Sequence, residues 1–245
     1  MKAMILAAGI GSRLRPLTDG CPKAMIEVGG MPMLEIAIRR LKTAGVTDIV
    51  VNTFHLADQI AKFLKAKKNF KVRIELSQEK ELLDTGGGLK KVAGFFDDRQ
   101  PFFLHNADVL TDLDLGKMYR HHEKSKALAT LAVSSRESGR YLLFDADGRL
   151  RGRETSADKK IEWAGAPAKE AERLAFNGIH VISPTIFPKM TGTGAFSITK
   201  TYLRLAGQGE KIHAYRMDEY YWQDIGSPEK LEKVRRYIKE QGLPL

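Results

Sequence analysis

The sequence predicts an α/β fold with a mostly parallel sheet flanked by helices. Three observations carry the prediction. Apolar runs of strand length alternate with amphipathic segments at helical spacing, the connections between them are short, and glycine or a capping residue stands at their ends.

Residues 2–7 form a short apolar run before a glycine and read as a buried first strand. Residues 33–44 place Leu34, Ile38 and Leu41 on one helical face and stop at Gly45, a C-terminal cap. Residues 48–52 are β-branched and read as a strand. Residues 57–67 are helical, with Ile60, Phe63 and Leu64 aligned, and residues 71–76 alternate as a strand does. A helix follows Gly88, and residues 101–104 are a further buried strand. Residues 127–133 and 141–144 read as strands, the second entering a hairpin at Asp145 to Gly148, whereas the polar stretch 152–160 reads as loops. Residues 176–182 and 212–216 are strands. Ser227 caps a final helix over 230–240, with Pro228 in its first turn. The expected organisation is one domain over 1–245 with an inserted lobe at about 134–175.

Bulk properties narrow the function classes. Apolar residues make up 43% of the 245, enough for a real core. The formal net charge of +10 favours anionic partners without choosing among nucleotides, sugar phosphates, nucleic acid or acidic membrane. Cys21 is the single cysteine, so no internal disulfide forms and a reducing, cytoplasmic compartment is expected. The N-terminal apolar run is too short for a secretory signal, and no segment reaches the roughly 20 apolar residues that span a bilayer, so no membrane partner is expected. No internal repeat is present. No recognition motif or aromatic-interleaved basic stripe supports nucleic-acid binding.

The chemistry concentrates in residues 6–23. Gly9 and Gly11 follow the first strand, let the backbone turn tightly and open a concave row of amide N–H groups to an anion. Arg13 and Lys23 add a planar fork and a point charge. A P-loop would end in Gly-Lys-Ser/Thr, and a dinucleotide loop would have a third glycine where this chain has Leu14. Asp84-Thr85-Gly86-Gly87-Gly88 stands before a predicted helix and can bring backbone against a base or sugar. Ser77-Gln78-Glu79 ends a strand. His105-Asn106-Ala107-Asp108 ends another, where functional groups collect in such sheets.

The run Leu6-Ala7-Ala8-Gly9-Ile10-Gly11-Ser12-Arg13-Leu14-Arg15-Pro16-Leu17-Thr18, followed by Pro22-Lys23-Ala24-Met25, resembles the signature of the sugar nucleotidyltransferase family at nearly every position. The resemblance implies a Rossmann-like, glycosyltransferase-A-like fold in which the lobe at 134–175 binds sugar. It implies that Ala8, Gly9, Gly11 and Ser12 bind a nucleoside triphosphate. Arg13 would hold the β- and γ-phosphates and Lys23 would neutralise the α-phosphate, both as catalytic groups. Gln78, Gly86 and Gly87 would contact the nucleotide, and Gly88, Asn106, Asn177 and Gly178 the sugar. Asp108, in an Asn-Ala-Asp motif, and Asp224, in Trp222-Gln223-Asp224-Ile225-Gly226-Ser227-Pro228, would hold Mg²⁺. Asn177-Gly178-Ile179 departs from the usual sugar-binding turn by lacking its middle residue. The acidic and basic residues that hold the sugar phosphate have no clean counterpart, with Glu154, Lys159, Lys160 and Glu162 as candidates.

The run Leu83 to Leu89 is similar to the N-acetylmuramate α-1-phosphate uridylyltransferase branch, which favours UTP and a role in cell-wall recycling. The mannose-1-phosphate guanylyltransferase branch is the alternative. A catalytically silent nucleotide-sugar-binding regulator is a reading of another class, and the oligomeric state stays open between monomer and dimer. His121 and His122 are expected on the solvated face of a charged helix, Cys21 lacks a histidine partner, and Met31 and Met33 read as packing.

Overall fold

A computed structural model describes all 245 residues. The strands are β1 (Lys2–Leu6), β2 (Glu27–Val28), β3 (Met31–Pro32), β4 (Asp48–Thr53), β5 (Arg73–Gln78), β6 (Phe102–Asn106), β7 (Val109–Thr111), β8 (Ala129–Ser134), β9 (Arg140–Phe144), β10 (Leu150–Thr155), β11 (Lys160–Trp163), β12 (Glu172–Ile182), β13 (Ile212–Arg216) and β14 (Trp222–Asp224). The helices are α1 (Met33–Thr43), α2 (Ala57–Ala66), α3 (Asp84–Lys91), α4 (Leu115–Ser125), α5 (Ile198–Gly207) and α6 (Pro228–Gln241). The architecture is the α/β one that the alternation predicts. The chain divides into two compact units, one of residues 1–82, 104–116 and 220–245, the other of 83–103 and 117–219.

In the first unit β1 pairs in parallel with β4, and β4 in parallel with β5, which ends the sheet. The β1 side chains of Ala3, Met4 and Ile5 are fully buried, as a strand covered on both faces requires. A core of Leu14, Ile26, Val28, Met33, Ile36, Leu110, Ile225, Leu231 and Val234 ties the loop after β1 to α1, β7, β14 and α6. Burying Leu14 contributes about 2 kcal/mol, so the glycine loop is anchored by its own next residue. Helix α6 starts as predicted: the Ser227 hydroxyl accepts from the Lys230 amide and Pro228 occupies the first turn.

The second unit is mostly antiparallel. β12 pairs with β8 and β9, β9 with β10, and β10 with β11, while β13 joins β8 in parallel. Three expectations are corrected here. Of residues 152–160, only 156–159 form a turn; 152–155 belong to β10 and 160 to β11 of a hairpin, and the inward positions of β10 are Leu150, Gly152 and Glu154, so the strand shows no apolar alternation. A side chain at Gly152 would lie 2.8 Å from the Glu162 carbonyl oxygen and 3.1 Å from the Trp163 ring, which is why glycine stands there. Gly86 to Gly88 do not precede a helix but form the first turns of α3. His122 is not solvated. It is buried, its Nε2 donates to Ser183 Oγ at 3.0 Å, and its Nδ1 accepts from Thr130 Oγ1 at 2.9 Å. The tautomer follows because the Ser183 hydroxyl itself donates to the Ala127 carbonyl. Helix α5, unpredicted above, is capped by Ser197, whose hydroxyl accepts from the Thr199 amide at 3.3 Å.

Candidate active site

The loop after β1 is built by two short-range devices. Gly11 has φ +71°, and an added Cβ would lie 2.9 Å from Thr18 Cγ2 and 3.1 Å from Lys23 Cβ. Glycine is therefore required there both by conformation and by the close approach of Lys23. The Thr18 hydroxyl donates to the Gly11 carbonyl at 2.9 Å, and the Leu14 amide donates to the same oxygen at 2.8 Å. Gly9 is different: it is exposed, its φ is ordinary, and nothing lies within 4 Å of where its Cβ would be. Nothing in the chain explains that glycine, and open space beside it faces solvent. Ala8 is buried below the turn, and Ser12 and Arg13 are exposed on it.

Asn52 fixes the start of the same loop. This buried residue of β4 accepts from the Ala7 amide at 2.8 Å and donates to the buried Glu79 carboxylate at 2.7 Å. Gln78, exposed at the end of β5, is thereby adjacent to a residue locked to the loop. Glu79 was named from the sequence with Ser77 and Gln78 at the strand end, but Asn52 was not; an Asn ending an otherwise apolar parallel strand was the available signal.

Two carboxylates come together on the β7–β14 pair. Asp224 lies opposite Val109, and the Ile225 amide donates to the Asp108 carbonyl at 3.0 Å. Each carboxylate faces a lysine: Lys23 Nζ forms an ion pair with Asp108 Oδ2, and Lys230 Nζ lies 2.5 Å from Asp224 Oδ2. Asp224 Oδ1 also accepts from the Gly226 amide at 2.7 Å. A Cβ at Gly226 would lie 2.5 Å from that oxygen and 3.1 Å from Arg13 Nη2, so the Arg13 guanidinium passes over Gly226 beside Asp224. Arg13, Lys23, Asp108 and Asp224 are thus gathered within one unit, although they are drawn from three separate stretches of chain. Lys230 is a residue that the sequence reading missed. A lysine in the first turn of a helix runs against the helix dipole, which was its signal.

Asn106 is half-buried at the end of β6, its carbonyl accepting from His105 Nδ1 at 2.8 Å, and the next amide, of Ala107, donates to the Leu6 carbonyl at 3.0 Å. This places the ends of β1 and β6 together. Burial lowers the pKa of the His105 ring to about 4, so the ring is neutral.

The remaining predicted residues belong to the second unit. The Gly86 and Gly87 amides both donate to the Phe196 carbonyl, at 2.8 and 3.2 Å. A Cβ on Gly86 would strike the Phe196 ring at 2.4 Å, and one on Gly87 the Gly194 carbonyl oxygen at 2.3 Å. The close seating of residues 194–196 on α3 accounts for both glycines, and Gly88 is buried in the same helix. Asn177 is fully buried, with its amide group bonded to Ser134 and Arg136, and Gly178 (φ +76°) sits where the β12–β8 register shifts.

As a cation site, Asp108 and Asp224 offer hard carboxylate oxygens, and no group of three or more His, Cys, Asp or Glu side chains accompanies them. Two carboxylates, with phosphate oxygens and water completing the shell, are the set that Mg²⁺ takes, so the residues fit that ion. No helix is long and apolar enough to cross a membrane.

Residues 2–241 match the family model described as nucleotidyl transferase. The chain belongs to this family. Among curated relatives, it is 30% identical over 234 residues to the mannose-1-phosphate guanyltransferase of Aspergillus fumigatus, covering 93% of this chain and 61% of that protein. It is 30% identical over 269 residues to the UTP–glucose-1-phosphate uridylyltransferase of Synechocystis, covering 100% of this chain and 66% of the relative. The chain therefore spans less than two thirds of the length of these relatives. Among solved structures, a UDP-glucose pyrophosphorylase complexed with UDP-glucose superposes with TM-score 0.77 at 20% identity, covering 98% of this chain and 99% of the other, which shows the shared fold. HddC from Yersinia pseudotuberculosis, complexed with GMP-PN, gives TM-score 0.75 at 22% identity, covering 97% and 99%.

Proposed function

We propose that the chain transfers a nucleoside monophosphate from a nucleoside triphosphate to a sugar 1-phosphate. A phosphate oxygen of the sugar attacks the α-phosphorus, the bond from that phosphorus to the β-phosphate oxygen breaks, and pyrophosphate leaves. The nucleophile is already an anion and needs no general base. The observation that supports the reading is the meeting of Arg13 and Lys23 with Asp108 and Asp224 beside the glycine loop. Ala8 to Ser12 would meet the triphosphate, with Gly9 leaving room for it. Arg13 would hold the leaving phosphates, and Lys23 the α-phosphate as charge develops. Asp108 and Asp224 would hold Mg²⁺, which supplies further neutralisation of phosphate charge when bound. Gln78, Gly86 and Gly87 are assigned to the nucleotide. Gly88, Asn106, Asn177 and Gly178 are assigned to the sugar, as is the lobe at about 134–175. Because the Asn177 amide is engaged by Ser134 and Arg136, its part is to shape the strand irregularity at Gly178.

For the substrates, the Leu83 to Leu89 run supports UTP with N-acetylmuramate 1-phosphate, in cell-wall recycling in the cytoplasm. A second reading, GTP with mannose 1-phosphate, is supported by the guanyltransferase relatives and by Glu79. A carboxylate only accepts hydrogen bonds when ionised, and guanine offers two adjacent N–H donors where uracil offers one between carbonyls. Pyrophosphate release and the nucleotide-sugar product, measured for each substrate pair with Mg²⁺, test both. Product from UTP and N-acetylmuramate 1-phosphate alone supports the first, product from GTP and mannose 1-phosphate alone the second, and release from no pair of triphosphate and sugar phosphate overturns the activity.

A further inference from the structure

We propose that the free edge of β5, with the groove between it and α2, docks an extended acidic segment of a partner protein. β5 ends the sheet, with β4 on one side and no strand on the other. The Arg73 amide donates to the Thr47 carbonyl at 2.9 Å and the Glu79 amide to the Thr53 carbonyl at 2.8 Å. In a parallel strand this parity turns the odd-numbered residues toward β4, and Ile74 and Leu76 present N–H and C=O outward. Their side chains share one face and line a groove of about 460 Å³ with Ala61, Leu64, Lys65 and Lys68. Leu76 is 41% exposed, although it is apolar and lies in a strand.

The rim of the groove is strongly basic. Residues 59–74 hold Lys62, Lys65, Lys67, Lys68, Lys71 and Arg73 and no acidic residue. Lys67 is paired with Glu35, and Arg73 with Asp48 and Glu75. Lys62, Lys65, Lys68 and Lys71 are exposed and bound to no carboxylate. Two of them stand on a backbone of unusual shape: Lys68, Asn69, Phe70 and Lys71 have φ of +49°, +48°, +55° and +60°. Such left-handed residues cost about 1–2 kcal/mol each, and the turn is held by tertiary contacts. Phe70 is buried 5.9 Å from the Phe63 ring, the Arg39 guanidinium lies 5.6 Å from the Phe70 ring, and Lys42 Nζ donates to the Phe70 carbonyl at 2.9 Å. The turn presents Lys68 and Lys71 from a fixed backbone at the start of an unpaired edge.

The choice of occupant follows from charge and shape. A second copy pairing edge to edge would oppose two sets of unpaired lysines, which like-charge repulsion disfavours. A concave apolar floor takes alternate side chains of a strand, as in strand addition to a sheet edge, and does not suit a flat bilayer or a phosphodiester chain. The six residues of β5 would pair with a segment of roughly 20 Å.

The test uses the full chain and a fluorescein-labelled ten-residue peptide of alternating glutamate and valine. Saturable binding is expected, weakened about tenfold by Lys65→Glu with Lys68→Glu and by Leu76→Pro, which removes an outward N–H without touching the ladder to β4. Hydrogen exchange on the unmodified chain serves as the second measurement, with the amides of Ile74 and Leu76 protected when peptide is present. Absence of binding overturns the proposal, as does binding without protection of those amides. So does binding of an oligothymidylate or of phosphatidylserine vesicles at equal strength and insensitive to Leu76→Pro, which would make the patch a general polyanion surface.

Discussion

Gly9 and Gly11 stand two residues apart, and the structure gives them opposite reasons for being glycine. Alanine at Gly11 must adopt φ +71° and place a methyl 2.9 Å from Thr18 Cγ2 and 3.1 Å from Lys23 Cβ. The left-handed backbone costs about 1–2 kcal/mol, and displacing the two neighbours raises the expected loss to about 2–3 kcal/mol. For a chain of this size that loss lowers the melting temperature by roughly 5–10 °C. Because Lys23 moves with the intruding methyl, turnover should fall about tenfold or more. Alanine at Gly9 meets nothing within 4 Å. Its stability should be unchanged or higher by about 0.4–1 kcal/mol, through the less flexible unfolded chain. Its KM for the nucleoside triphosphate should nevertheless rise about tenfold, because the new methyl stands where the phosphates approach. Thermal melts and pyrophosphate-release kinetics on the two variants decide the matter. A Gly9→Ala protein with an unchanged KM, or a Gly11→Ala protein with an unchanged melting temperature, would show that the loop has been read wrongly.

Replacing Asp108 or Asp224 by Asn should lower kcat on the order of 10²-fold with Mg²⁺ present, and unchanged turnover would remove these residues from the metal site. Burial lowers the pKa of both His105 and His122 to about 4, below the ordinary value of 6.5. The unfolded chain then binds more protons between those values, so the stabilising neutral state is complete above pH 6.5 and is lost as pH falls toward 4, by up to about 1.4 kcal/mol per pH unit per histidine. Chemical denaturation at pH 7.5, 6 and 5 should show midpoints falling in that order, and a flat profile would contradict the burial of these rings. Gly87→Ala, with its methyl 2.3 Å from the Gly194 oxygen, should lower the melting temperature and increase protease cleavage at residues 192–196; an unchanged digestion pattern would mean that this segment does not rest on α3.

The first unit was the more legible in sequence because its elements obey local rules. The apolar run that follows Lys2 in β1, the aligned face of α1 and the Ser227–Pro228 start of α6 each carry their signal within a few residues. The grouping of Arg13, Lys23, Asp108 and Asp224 was legible only through the family motifs, since no local rule brings residues 85 or more positions apart together. The β10–β11 hairpin was illegible because glycine and glutamate follow Leu150 at its inward positions, and at Gly152 the Glu162 carbonyl and the Trp163 ring leave no room for a side chain. His122 was misread because it lies in a charged stretch, yet its ring is buried between Thr130 and Ser183, while the neighbouring His121 is half-buried against His213 and Tyr215. Lys230 and Asn52 matter through partners six and 27 residues or more away, which composition cannot reveal.

The Asn52 side chain has a further consequence. Its oxygen takes the Ala7 amide and its nitrogen takes the Glu79 carboxylate, so one primary amide, in one orientation, ties the exits of three neighbouring strands. The separation between the glycine loop and the end of β5 is therefore gauged by a rigid spacer, not left to the connecting loops. Aspartate at this position would set a second anion against Glu79, and one of the two would have to take up a proton. The spacer would become a hinge, and a ligand spanning both places would meet a receptor without a fixed length.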